Sequence, residues 1–296
     1  MDMRKNALVT CCITCVFGAF GGFFRWLQSV TAFDADTGLY IAGNIWGRAI
    51  VLATLALAVV QLLSVLKLRG KNLDLPEDYA RALGDPTVLY KPLFFVLSLI
   101  MAAGAVLLLF YAPKDKYPTF QLVLSILGIL AAGGFVLVCA ATLRKRNPPM
   151  NCFGSALLLL FAGFWLIVSY RENAATSIIW NYAVEILAIT VSLLGFYYIA
   201  GIPFGKPRPF HAIFFSQLGA FLCVVTLPDE RPTGQQLMLV AIAGMLLFLS
   251  CMIEANLRPA QRKTVPDLPR EPEAEPVFDD PVDEDGDEDV KIFGEE

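Results

Sequence analysis

The chain has 296 residues, 56% of them apolar and only 17% charged, with a mean hydropathy of +0.60 and a formal net charge of −4. A water-soluble domain of this length needs more polar surface than that to cover its core. The charge is unevenly placed: fourteen acidic and five basic residues fall from Arg258 onward, against thirteen acidic and eighteen basic residues before it. A mildly basic apolar body with an acidic tail points to no nucleic-acid partner.

Apolar runs lie near residues 7–24, 45–66, 92–111, 120–143, 153–170, 178–202, 210–227 and 235–257. Each approaches the ~20 residues that cross a bilayer as a helix. Helices are expected because an open strand leaves its backbone groups unpaired in lipid. The first run follows Arg4 and Lys5, as a cleaved presequence would. It continues, however, through Phe23 and Phe24 to an interfacial Arg25-Trp26, and it contains Gly18-x-x-x-Gly22, a close-packing pattern between membrane helices. It reads as a first span.

Between the first two spans, residues 30–42 alternate around Asp34-Ala35-Asp36-Thr37-Gly38 and predict a small β-hairpin. Asp34-x-Asp36 there is a turn: it lacks the other ligands of a Ca²⁺ loop and the surroundings of a phosphotransfer motif. After the second span, Pro76 to Gly84 predicts a short helix with Pro at its start and Gly at its end. Beyond about Pro259 the chain is rich in Pro, Asp and Glu, a composition that predicts disorder.

Basic residues set the expected orientation. Arg4, Lys5, Lys67, Arg69, Lys71, Arg81, Lys91, Arg144, Lys145, Arg146, Lys206, Arg208, Arg258, Arg262 and Lys263 fall in one set of connections. The alternate set holds only Arg25, Arg48, Lys114, Lys116, Arg171 and Arg231. The richer set belongs in the cytoplasm, which places both termini there and is compatible with a multi-pass protein of a bacterial cytoplasmic membrane.

The chain also resembles itself. Lys91-Pro92 recurs as Lys206-Pro207, and Gly104-Ala105-x-Leu107 as Gly219-Ala220-x-Leu222. Farther on, Pro118-Thr119-x-Gln121 matches Pro232-Thr233-x-Gln235, and Leu143-Arg144 matches Leu257-Arg258. A weaker pair joins Ile45-Trp46-x-x-Ala49 to Ile179-Trp180-x-x-Ala183. The expected fold is therefore all-α and polytopic: about eight transmembrane helices in two tandem parallel four-helix repeats, residues 1–143 and 144–258, followed by the acidic tail 259–296. Four spans per copy leave both copies facing the same way, related by a pseudo-two-fold axis along the membrane normal. Thr119 and Thr233 are expected to cap helix N-termini.

An ionisable group inside the bilayer is costly and so a functional candidate. Glu185 is the acid read as lying within a span, roughly 7–8 Å past Trp180 at 1.5 Å per residue. Asn181, Glu185, Ala188 and Ser192 follow helical spacing and make one small or polar stripe. Arg48, near the start of the repeat-related second span, is the expected partner of Glu185, and Tyr182 lies beside it in sequence. Ser216 and Gln217 fall near the midplane of the seventh span. Glu185, Arg48, Asn181, Tyr182, Ser216 and Gln217 form the expected ligand-binding or ion-coupling set, with the simpler alternative that Glu185 only holds helices in register.

No catalytic group, metal site or cofactor is expected. Cys12-x-x-Cys15 lies within an apolar span, whereas a redox pair needs an accessible thiolate. The seven cysteines read as small packing residues rather than as a disulfide framework, and His211 as an interfacial residue. Neither a Walker loop, a zincin helix nor a nucleophile elbow is present. Two functions lead: a permease-like protein with its site between the repeats, or a non-catalytic scaffold whose acidic tail binds a basic cytosolic protein; a third, an intramembrane enzyme acting on lipids, lacks convergent His, Asp or Ser groups. The expected partners are the lipid bilayer and, for the second reading, that protein.

Overall fold

Helices dominate for the reason the composition suggests: a continuous apolar segment in lipid pairs its backbone groups only with itself. The computed structural model describes residues 3–33, 40–41, 43–71, 73–76, 79–84, 90–114, 117–144, 148–174, 179 and 182–259. Nine helices lie among them: α1 (Met3–Thr31), α2 (Ile45–Arg69), the short α3 (Tyr79–Leu83), α4 (Tyr90–Tyr111), α5 (Pro118–Arg144), α6 (Pro148–Asn173), α7 (Ala183–Ala200), α8 (Pro209–Val225) and α9 (Thr233–Ala255). A two-residue strand β1 (Leu73–Asp74) pairs antiparallel with β2 (Arg258–Pro259). The acidic tail beyond Pro259 and the Asp34–Gly38 turn lie outside the described residues.

Seven of these helices are long and apolar enough to cross a membrane. The exception among the expected eight is α8, which at 17 residues spans about 25 Å at 1.5 Å per residue, short of a ~30 Å hydrocarbon core. Large apolar side chains stand exposed around the bundle, Leu52, Leu63, Leu99, Phe110, Phe153 and Ile167 among them. A surface of this kind belongs against lipid. The chain is an all-α membrane protein.

Proline marks several helix starts, where the missing N–H costs nothing. Pro118 and Pro148 open α5 and α6, and Pro209 stands in the first turn of α8. At α9 the capping residue is Pro232, with no side-chain bond, and Thr233 is already helical. Thr119 likewise lies inside α5. The expected threonine caps are therefore absent at both places, since proline occupies the boundary and pushes the threonine into the first turn. Asn44 does cap α2, its side chain accepting from the Trp46 N–H at 2.9 Å.

Helices α4 to α9 pack in chain order, each against the next, and α9 returns to α4 to close a ring. The ring is filled. Gly128 of α5 faces Ala105, Met238 and Phe161, while Phe135 meets Phe248 edge-on at 6.1 Å. Two glycine crossings let backbones touch. A Cβ on Gly104 would stand 2.7 Å from the Gly234 carbonyl, and one on Gly234 2.7 Å from the Gly104 carbonyl. Gly134 and Gly154 make the same reciprocal contact between α5 and α6. Contacts of this type suit lipid, where helices associate by packing rather than by hydrophobic exclusion.

α1 and α2 stand outside the ring. α1 seats on α8 and α9, and α2 on α1 and α8. The glycines expected to pack do so: Gly18 and Gly22 lie on Val224, and Gly21 on Phe221 and Val225. The expected hairpin shows as one antiparallel bridge, Phe33 to Tyr40, with their rings edge-on at 5.8 Å. The short loop helix is α3, and Asn256 donates to the carbonyls of Ala82 and Gly84 at 3.1 and 3.0 Å, tying it beneath α9.

Candidate functional site

Polar residues gather at the end of the ring where α5, α7 and α9 begin and α1, α6 and α8 end. They line a cavity of about 910 Å³. Its charged wall comes from Arg25 of α1, Glu172 of α6, Glu185 of α7, and Asp229, Glu230 and Arg231 of the connection between α8 and α9. The short α8 has a consequence here: it stops at Val225, and the following residues 226–232 supply three of those six charges.

The charges form a connected set. Arg25 Nε donates to Asp229 Oδ1 at 2.6 Å, and Arg25 Nη1 to Gln28 Oε1 at 2.8 Å. Arg231 Nη2 bridges two acids, 3.0 Å from Asp229 Oδ2 and 3.1 Å from Glu185 Oε2. The side chains of Arg25, Arg231, Glu185 and Asp229 are no more than 10% exposed. Burial this deep requires the pairing, since an unpaired buried charge costs several kcal/mol. One donor, Arg231 Nη1, is buried with no partner among the described residues.

Beside this set, Gln121 donates its amide to Glu172 and accepts from Gln235 Nε2 at 3.5 Å. These are the two glutamines of the matched Pro-Thr-x-Gln boxes. Arg171 lies over the Phe120 ring at 4.3 Å and the Tyr117 ring at 5.7 Å, which fastens the end of α6 to the start of α5 at the cavity rim.

The six residues singled out from sequence do not form one site. Glu185 is in the cavity wall, but its partner is Arg231 and not Arg48. Arg48 is exposed near the start of α2, where it lines a separate hollow of about 560 Å³ with Tyr40, Asn44 and Val51. The reason is the placement of α2, which packs on α1 and α8 on the outside of the ring. Tyr182 caps the start of α7 without a side-chain bond, and Asn181 lies outside the described residues. Ser216 is fully buried against Gly195 and its hydroxyl has no partner among the described residues.

Gln217 belongs to a second polar cluster farther along the bundle. Its carbonyl accepts from Thr14 Oγ1 at 2.6 Å, and its amide donates to Ser250 Oγ at 2.9 Å and to Cys11 Sγ at 3.3 Å. Gln61 of α2 donates to the same Thr14 hydroxyl at 2.8 Å. Sequence reasoning missed the acid at this end. Glu254, one residue from the end of α9, is fully buried and accepts from Asn6 at 2.6 Å and Thr10 at 3.3 Å. It also missed Arg25 and Arg231, which read as ordinary loop and interface charges. The signal available for the cavity end of the bundle was the paired glutamine boxes.

The cysteines described are all free thiols, and Cys12 and Cys15 are exposed on the outside of α1. His211 is exposed at the start of α8 and stacks on Tyr198 at 5.1 Å. Among the described residues no three His, Cys, Asp or Glu side chains converge as metal ligands. No family model, no curated protein and no solved structure matches the chain.

Proposed function

We propose that the chain is a permease-like membrane protein whose solute site is the cavity bounded by Arg25, Glu185, Asp229 and Arg231. The observation that carries this reading is a buried, connected set of charges at the wall of a cavity large enough for a small solute. A structural tie between helices needs the ion pairs but not the space beside them. On the orientation expected from the basic connections, with both termini in the cytoplasm, this cavity would face the opposite side. Four acids against two arginines in the wall favour a small polar solute bearing a cationic group. The free Arg231 Nη1 donor suits an acceptor on the same solute.

The contact between Gln121 and Gln235 supports the internal duplication, because matched residues meeting each other is what an axis passing between the copies produces. The experiment compares wild type with Glu185→Gln after reconstitution of the full chain into liposomes. Uptake is measured across a panel of labelled amines, amino acids and quaternary ammonium solutes. At least one solute should enter wild-type vesicles and fail to enter the variant's. Equal behaviour across the whole panel refutes the reading.

A second reading rests on the acidic run beyond Arg258: a scaffold that recruits a basic cytosolic protein. Cross-linking in cells with and without residues 264–296 separates the two. Loss of a specific partner on truncation, with solute uptake absent throughout, favours the scaffold.

A further inference from the structure

The end of the bundle opposite the cavity holds a carboxyl group that the solute site does not use. Glu254 has 0% exposure, as deep as any core residue, and its surroundings differ from those of Glu185 in one respect. Glu185 has Arg231 at 3.1 Å, whereas Glu254 has no cation partner among the described residues. Both of its donors, Asn6 Nδ2 and Thr10 Oγ1, reach Oε1, and Oε2 has no partner among the described residues.

The charged and titratable groups on the elements packed against α9 do not supply the missing charge. Arg4 and Lys5 of α1, Arg81 of α3, Lys91 of α4, His211 of α8 and Tyr197 of α7 are exposed, Tyr198 of α7 stacks on His211, and Arg25 of α1 and Glu185 of α7 lie at the cavity end. Within the buried region the remaining titratable groups are the thiols of Cys11 on α1 and Cys251 on α9 itself. A carboxylate left charged and without a counter-ion is unfavourable in so buried a place, so the site calls for a neutralising ion. A metal cation does not fit. Hard cations take about six oxygen ligands, whereas Asn6 turns its amide nitrogen toward the acid and Thr10 shares its one hydroxyl proton between the Asn6 carbonyl at 2.9 Å and Glu254 at 3.3 Å. A proton needs only Oε2.

The group is also placed where such a proton can be felt elsewhere. The buried face of α1 runs Asn6, Thr10, Thr14, Gly18, Gly21, Arg25 and Gln28. Its first half bonds Glu254 and Gln217, its glycines lie on Val224 and Phe221, and its second half bonds Asp229 of the cavity. One helix thus touches the lone acid at one end and the solute cavity at the other, across a smooth apolar contact.

We propose that Glu254 is a proton-binding site coupled through α1 to the cavity. A proton from water at the Asn6 end forms an O–H bond on Oε2. On release that bond breaks, the proton returns to water, and the carboxylate is held by Asn6 and Thr10. No electrons move. The coupling to solute rests on the permease reading; the proton site itself does not.

Infrared titration of the purified full chain tests the site directly. Wild type should show the carbonyl stretch of a protonated carboxyl that disappears reversibly as pH is raised. Glu254→Gln should lack that band and Glu185→Gln should keep it. Asn6→Leu, which removes one donor to the charged form, should displace the midpoint, and serves where Glu254→Gln fails to fold. A band common to wild type and Glu254→Gln overturns the proposal. So does one that persists at every pH the fold survives, as a purely structural acid would give. Coupling is read separately, in vesicles loaded with a pH-sensitive dye. Amines from the uptake panel should drive proton movement in wild type and not in Glu254→Gln, while tryptophan fluorescence reports their binding near Trp26 in both. Binding without proton movement in wild type overturns the coupling and leaves the site; no binding by any solute overturns the permease reading alone.

Discussion

Removing Arg231 should be the most damaging single change at the cavity, and removing Glu185 with it should repair most of that damage. Arg231 Nη2 sits 3.1 Å from Glu185 and 3.0 Å from Asp229, with all three side chains at most 10% exposed. At an effective dielectric of ~20, two unit charges about 3 Å apart attract by about 5 kcal/mol. Asp229 keeps Arg25 at 2.6 Å when Arg231 is gone, but Glu185 is left without a cation. Arg231→Gln should therefore destabilise by about 3–5 kcal/mol, the usual cost of breaking a buried pair from one side. Glu185→Gln alone should cost only about 1–2 kcal/mol, since Arg231 retains Asp229. The double variant should lie near the milder single one. The assay is equilibrium unfolding of the full chain in mixed micelles by SDS titration, with all four proteins compared as a double-mutant cycle. Simple additivity of the two single costs would refute the claim that these residues act as a buried pair.

The glycine crossing that closes the ring predicts that Gly234→Val lowers stability by about 1–3 kcal/mol or more, because its side chain meets the backbone of Gly104 and Leu108 rather than a movable side chain. Gly163→Ala, with nothing within 4 Å, is the matched control; equal melting temperatures for the two would sink the argument. In the second polar cluster, Gln217→Leu removes one bond each from Thr14 and Ser250, which keep the Thr10 and Leu247 carbonyls, and should cost about 1 kcal/mol. Its neighbour Ser216→Ala should be close to neutral, since that hydroxyl bonds nothing. A lipid-soluble maleimide should label Cys12 and Cys15 in the folded protein but reach Cys139 and Cys223 only after unfolding; mass spectrometry of labelled peptides checks this, and early labelling of Cys223 contradicts the packing of α8.

The linear pattern of residues located the helices well, because crossing lipid imposes one local rule on every segment. Apolar length and proline punctuation mark α2, α4, α5 and α9 to within about three residues, while the ends of α1, α6 and α7 differ by up to seven. The same rule overstated α8, whose apolar run near 210–227 includes residues that turn out of the helix after Val225. Candidate residues fared differently. Glu185 stands out in any sequence reading because an acid amid apolar neighbours is conspicuous. Arg231 does not, since it sits in a polar connection resembling every other one. Pairing Glu185 with Arg48 followed from the duplication, and the ring places α2 on its outside. Glu254 was hidden by its position near a helix end, where an acid reads as interfacial until the fold shows Asn6 and Thr10 closing over it.

The order of residues alone determined that this chain enters a membrane as a set of apolar helices, since backbone pairing in lipid is satisfied within each helix and owes nothing to its neighbours. Which helices touch is a different matter. It depends on small residues such as Gly104 and Gly234 finding each other across 130 positions. Only the tertiary structure could decide that Arg25, Glu185 and Arg231 share one wall while Glu254 stands alone at the opposite end.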